Sequence, residues 1–274
     1  MKANLLYALL AILFLSSGCS FNDKDPEPDK TYLLQRKYSE VIFPNGGGGT
    51  IDLTYTYDDN NLLTRISGVT FWKGELKTIY TKLAYDSKGR AEQINTLSGT
   101  EWVLFYNDKD QLVKVTRAYL GSMMGSYMHY YDDKGRLSEI KFYSGALSEG
   151  NLSNHRVFSY PGANQIKIAI QVGNEKTSEY TLLTDDKKRN LPALPHQISS
   201  EFFSEELMSE GIITQHNIIS YEQLVFNKMT GTGNITGPSY QTEFTYNDGG
   251  YPSTCVRTFQ EGSIQKVTYT YAVK

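Results

Sequence analysis

The side chains of this sequence that could do chemistry are few and scattered. Its four histidines, His129, His155, His196 and His216, lie far apart, with no pair at metal-ligand spacing and no thiols beside them, so a zinc-type site finds no ligand set. No Gly-x-Ser-x-Gly elbow is present to present a nucleophilic serine. The acids Asp58-Asp59, Asn107-Asp108-Asp110, Asp132-Asp133 and Asp185-Asp186 could coordinate calcium, but none follows the twelve-residue loop pattern. Glycoside hydrolysis needs two carboxylates facing each other across a cleft. Glu75, Glu101 and Glu139 stand beside strand-like runs, where glutamates that face solvent are normal occupants. No catalytic residue, metal or cofactor is assigned. What remains is aromatic surface: at 13% aromatic, with 21 tyrosines, the chain carries more rings than an ordinary core needs. Trp72, Trp102, Phe202 and Phe203 are candidate binding aromatics for a glycan or a protein partner, since flat apolar faces with polar rims suit both. Cross-strand aromatic ladders compete as the explanation.

The elements that would carry these residues are announced by a repeat. Five times a tyrosine is followed by Asp or Asn, two polar residues, and Gly, Asn or Asp: Tyr57 to Asn61, Tyr85 to Gly89, Tyr106 to Asp110, Tyr131 to Gly135 and Tyr246 to Gly250. An Asx side chain at the first turn position caps its own backbone, and the fourth position needs a residue that tolerates positive φ. Each copy therefore predicts a hairpin loop of a type I turn followed by a left-handed residue. The first four tyrosines are 28, 21 and 25 residues apart, about two strands and two turns per unit. Tyr160-Pro161-Gly162-Ala163-Asn164 looks like a degenerate copy. Alternating runs at 50–57, 111–119, 136–143, 165–172 and 266–273 supply the strands. The expected fold is all-β: an antiparallel meander of repeated hairpins, strongly curved or forming a partly closed barrel.

Alignment of the copies exposes a second constraint. Six residues after each tyrosine stand Leu63, Ala91, Leu112, Leu137 and Pro252; nine after stand Ile66, Ile94, Val115, Ile140 and Cys255. Both sets look like core, yet six and nine have opposite parity on a regular strand. Either some strands are covered on both faces or each carries a second irregularity. The same alignment makes Cys255 a small buried hydrophobe rather than a nucleophile, and places His129 on the core side as a satisfied imidazole. Asn45 to Thr50, with four glycines, is expected to be a flexible connector. The stretch 184–211 breaks the pattern; Ser199 to Met208 is the candidate helix, and the whole excursion is either a functional loop or a plug over an open end of the sheet.

Lys2, an apolar run from Leu5 to Leu15, and Ser16-Ser17-Gly18-Cys19 resemble a bacterial lipoprotein signal. The resemblance implies cleavage before Cys19, lipid on Cys19 and a membrane partner through that lipid. Residues 1–18 would be the signal, 19–30 an acidic, proline-spaced tether, and 31–274 one β-repeat domain. A formal charge of −3 with no basic stripe argues against nucleic acid. With Cys19 lipidated, Cys255 has no disulfide partner.

Tyr131-Asp132-Asp133-Lys134-Gly135-Arg136-Leu137 with Ile140 resembles the tyrosine-aspartate repeat of Rhs-type proteins. Together with the Cys19 signal, the repeats, the interruption at 185–195 and the return at 215–220, the chain resembles a Bacteroides-type lipoprotein family described as having a porin-like β fold. That family brings no catalytic residues. The resemblance implies an outer-membrane lipoprotein of the cell envelope with a structural or binding role, and leaves open which face of the membrane it occupies. The alternative is an envelope glycan hydrolase with carboxylates near 184–211.

Overall fold

The computed structural model describes residues 30–145, 147–173, 175–189, 216–226, 233–235 and 239–274. The alternation of apolar and polar side chains resolves into β1 (Tyr32–Ile42), β2 (Gly48–Tyr57), β3 (Leu63–Trp72), β4 (Glu75–Tyr85), β5 (Ala91–Thr96), β6 (Thr100–Tyr106), β7 (Leu112–Tyr119), β8 (Ser122–Tyr131) and β9 (Leu137–Ser144). After a single 3-10 turn at Glu149–Asn151 come β10 (Leu152–Gly162), β11 (Gln165–Val172), β12 (Glu175–Thr184), β13 (Ile218–Phe226), β14 (Gly233–Ile235), β15 (Tyr240–Tyr246), β16 (Pro252–Phe259) and β17 (Ile264–Val273). Every pairing is antiparallel and joins neighbours along the chain, while β17 pairs back onto β1 from Tyr32↔Val273 to Ile42↔Ile264. β14 and β15 lie end to end along β13, so seventeen segments fill sixteen positions. The sheet is a fully closed barrel formed by Tyr32–Val273, more complete than the partial closure expected. Within the other unit, Met1–Thr31 with Lys274, Thr31 and Lys274 exchange two backbone hydrogen bonds of 3.1 and 3.0 Å.

The turn chemistry is as the sequence predicts. Asp58 Oδ1 accepts from the backbone N–H of Asn60 and Leu62, Asp86 from Lys88 and Arg90, Asn107 from Lys109 and Gln111, Asp132 from Lys134 and Arg136, and Asn247 from Gly249 and Tyr251. The fourth positions, Asn61, Gly89, Asp110, Gly135 and Gly250, all have φ between 58° and 76°.

The parity conflict is solved by a bulge in every unit. The ladder skips the residue seven after the tyrosine, namely Thr64, Glu92, Val113, Ser138 and Ser253. One extra residue reverses the alternation, so positions six and nine both point inward and both are buried.

The bulge also creates the job of the tyrosine. Backbone pairing to the next strand begins two residues beyond position six, for example at Gln93↔Val103 after Ala91, which strands the position-six carbonyl. The next tyrosine hydroxyl donates to it: Tyr57 to Leu34, Tyr85 to Leu63, Tyr106 to Ala91, Tyr131 to Leu112, Tyr160 to Leu137 and Tyr271 to Pro252, over 2.6–3.0 Å. Tyr160 thereby qualifies the degenerate copy as a working unit. The seam obeys the same rule. Tyr271 pairs with Leu34, Gln35 is skipped, and Lys37 takes the ninth position, fully buried.

The excursion is a unit as well. Asp185 N–H donates to Asn217 O, while Asp185 Oδ1 accepts from the N–H groups of Lys187 and Asn217. These are the bonds of an ordinary Asx turn, with Thr184 in place of the tyrosine and Ile218 at position six. The repeat does not fail at 184–211, as the sequence suggested; its sixth turn is expanded by an insertion. Tyr246 departs from the ladder here and donates to the Asp185 carboxylate. The candidate helix, Phe202, Phe203 and His196 lie outside the described residues, as does Cys19.

Candidate functional site at the far mouth of the barrel

The Asx turns gather at one end of the barrel, and short hairpin tips close the other. At that far end a cavity of about 440 Å³ opens inside the wall, lined by Phe43, Trp72, Phe259, Lys77, Glu261 and Gln265 among others. Trp72 is brought there by local backbone chemistry. Gly46, at φ 83°, turns β1 into β2, and Gly48 and Gly49 belong to β2 rather than to a flexible connector. Any side chain on Gly49 would collide with the Trp72 ring, so the glycine is the floor on which the indole lies. Phe43 meets Trp72 edge-on, with centroids 5.2 Å apart.

The polar floor of the cavity is held in place from below. Gln265 donates from Nε2 to Ser39 Oγ at 2.8 Å and accepts at Oε1 from Arg257 Nη1 at 2.8 Å. Its amide orientation is therefore fixed. Arg257 also donates to Thr242 Oγ1 at 3.2 Å and lies 4.3 Å from the Tyr240 ring centre. From there a chain of rings and cations runs along the inner wall. Tyr240 stacks on Tyr221 at 5.1 Å and 9°, and Tyr221 meets Tyr180 at 5.6 Å. Arg156 stands against Tyr180, Tyr221 and Tyr127, and its burial lowers the guanidinium below the usual arginine range. Arg117 covers the Trp102 ring at 5.1 Å.

Trp102 is accordingly not a surface aromatic. At inward parity with Leu104, and capped by Arg117, it is buried. Of the four candidate aromatics, the structure puts Trp72 in the mouth and Trp102 in the interior. His129 is inward, as expected, and 4% exposed, but neither ring nitrogen has a hydrogen-bond partner among the described residues. Burial, and then the Arg156 charge, push its pKa down to about 4. Cys255 is buried with its sulfur 3.7 Å from the Tyr269 hydroxyl, which agrees with a core role.

The wall is ionic. Outward positions carry Arg36 with Asp52 at 2.7 Å, Glu139 with His155 at 3.0 Å and Lys141 at 3.4 Å, Gln93 with Glu101, and Glu179 with Lys176. Glu101 and Glu139 thus spend their carboxylates on wall neighbours. The described residues place no metal-ligating cluster, and the mouth offers aromatic faces, a fixed amide, and opposite charges at Lys77 and Glu261. Sequence reasoning missed Phe43, Phe259, Lys77 and Gln265, which converge only when β17 closes onto β1.

No family model matches the chain, and no curated protein matches it. Among solved structures, it is similar to a porin-like protein from Bacteroides uniformis, at 16% identity and a TM-score of 0.59, covering 89% of this chain and 96% of that one. A structure of TcdB2-TccC3 without its hypervariable C-terminal region matches at 14% identity and a TM-score of 0.36, with 86% of this chain and 11% of that chain covered. The first likeness is one of fold.

Proposed function

We propose that this chain is a lipid-anchored binding protein of the cell envelope that takes the end of a glycan into its far mouth. The observation that carries the reading is the cavity, in which Trp72, Phe43 and Phe259 offer apolar ring faces beside the Gln265 amide and the Lys77 and Glu261 charges. Sugars present this combination of flat C–H faces and hydroxyl rims. The ionic wall supports a barrel that works in water, since a charge facing lipid at mid-bilayer costs about 2–4 kcal/mol. The barrel packs most of its aliphatic side chains inside, around a few buried cations such as Lys37 and Arg257, and carries its ion pairs along the outer wall.

The test is a panel of soluble oligosaccharides titrated against residues 30–274 while tryptophan fluorescence is followed. Trp102 is shielded, so the signal change belongs to Trp72. Trp72→Ala and Lys77→Ala should each weaken binding at least about tenfold, because each removes a group central to the cavity. A glycan bound equally by wild type and both variants would refute the assignment of the site. For the anchor, Cys19→Ala should abolish lipid labelling and release the chain from membranes. Membrane retention without label would refute the lipoprotein reading.

A further inference from the structure

The floor of the mouth holds more hydrogen-bonding capacity than the chain itself uses. Gln265, 7% exposed, spends one of its two amide hydrogens on Ser39 and one of its two carbonyl lone pairs on Arg257, which leaves one donor and one acceptor over. Thr70 and Ser263 line the same cavity at 4% and 2% exposure. Neither hydroxyl has a hydrogen-bond partner among the described residues. Polar groups this deeply buried are normally satisfied, and each exception calls for an explanation. Three of them converge on one cavity.

The groups around them narrow what would satisfy them. Val41 is the cross-strand neighbour of Gln265, and Ile51 that of Thr70; both line the cavity, with Phe43 beside them. The polar groups are thus set among apolar ones. Lys77 and Glu261 bring one charge of each sign, so the cavity favours no net charge on its ligand. The complement is a compact neutral group with one acceptor, one donor and an apolar tip. A sugar hydroxyl lacks the tip, and a uronic acid carries a charge. An acetamido group has all three features.

We infer that the mouth takes an N-acetylated sugar, its acetamido carbonyl accepting from the Gln265 amide, its N–H donating to one of the two hydroxyls, and its methyl lying among Val41, Ile51 and Phe43. This rests on the glycan reading above and specifies its ligand.

The ring closes within Tyr32–Val273, so residues 30–274 serve for calorimetric titration with N,N′-diacetylchitobiose and with cellobiose. The two share a β1–4 linkage and differ at the C2 substituent of each ring. The acetylated disaccharide should bind at least about tenfold tighter. Gln265→Glu, whose carboxylate still accepts from Arg257 but has no hydrogen to give the ligand, should reduce that ratio at least about fivefold, and Ser263→Ala or Thr70→Val should also reduce it. Urea midpoints provide an independent check: Thr70→Val should not lower the midpoint of the free protein, because the hydroxyl it removes serves nothing within the chain. A lowered midpoint would show that the hydroxyl is structural and overturn the inference. Equal binding of the two disaccharides, each lost in Trp72→Ala, would overturn the acetamido assignment and leave the glycan site standing. An undiminished preference in all three floor variants would overturn it too, as would binding of other oligosaccharides but neither disaccharide. If no oligosaccharide binds, the glycan reading fails and the inference fails with it.

Discussion

Replacing Tyr106 with Phe removes one hydroxyl and nothing else, and the structure says what that hydroxyl does. It donates at 2.7 Å to the carbonyl of Ala91, a residue with no exposure at all, lying two positions before β5–β6 pairing begins. No strand reaches that carbonyl, so the variant leaves it desolvated. A net hydrogen bond is worth about 1 kcal/mol and an orphaned buried acceptor costs about 1–3 kcal/mol, which puts Tyr106→Phe at about 1–2 kcal/mol. The same holds for Tyr85→Phe and Tyr131→Phe, which lose bonds of 2.6 and 2.7 Å. For a barrel of this size that is a fall in Tm of about 2–8 °C, with a lower urea midpoint and an unchanged slope. Tyr80→Phe is the control, because that ring is exposed on the wall and should stay within about 0.5 kcal/mol. Alkali tests the same bonds without mutation. Burial pushes Tyr57 up to about 12 and raises Tyr85, Tyr106 and Tyr131 further. Above pH 10 the unfolded chain gives up these protons while the barrel keeps them, so stability must fall as pH rises from 10 towards 12. If the three ladder variants lose no more than Tyr80→Phe, the hydroxyls are not closing the bulges and the account of the repeat is wrong.

Two further expectations follow from single residues. His129 has a folded pKa of about 4 against 6.5 in the unfolded chain, so only the unfolded chain binds its proton between those values. Stability should fall by about 3 kcal/mol as pH drops from 7 to 4, and His129→Leu should flatten that part of the urea-midpoint profile. Asn107→Ala should cost about 1–2 kcal/mol by freeing the N–H groups of Lys109 and Gln111. Asn107→Asp, which keeps the acceptor, should cost little, and amide exchange at Lys109 and Gln111 should separate the two.

How much of this was legible in advance depended on how local the cause was. The Asx turns could be read directly, because Asp58, Asp86 and their equivalents bond to backbone within four residues. The inward sets at positions six and nine could be read too, yet their clash of parity only signalled that something irregular lay between. The bulge itself was hidden, since Thr64, Glu92, Val113, Ser138 and Ser253 share no side-chain type; it is forced by burial on both sides of it. Trp102 was misjudged because its parity depends on the bulges before it. The glycine run was misjudged for a different reason: Gly49 is required by the Trp72 ring of a neighbouring strand. The mouth was invisible, as Phe43, Phe259 and Gln265 come from opposite ends of the chain. Asp185 was read as the start of an interruption because its closing partner, Asn217, stands 32 residues away.

The seam between Tyr271 and Leu34 gives the molecule a property of rings rather than of arrays. In an open solenoid an end repeat needs a special cap, and copies can be gained or lost one at a time at modest cost. Here the first and last strands meet through the same bulge and the same phenol-to-carbonyl bond as the interior joints at Tyr85, Tyr106, Tyr131 and Tyr160, so neither end of the chain forms a terminal unit. The number of units is consequently fixed by circumference. Deleting one would break every angle at once, while the insertion in the sixth turn lengthens the chain by a tenth and leaves the ring untouched. Variation in such a molecule is confined to its turns and its mouth, and the count of its staves stays constant.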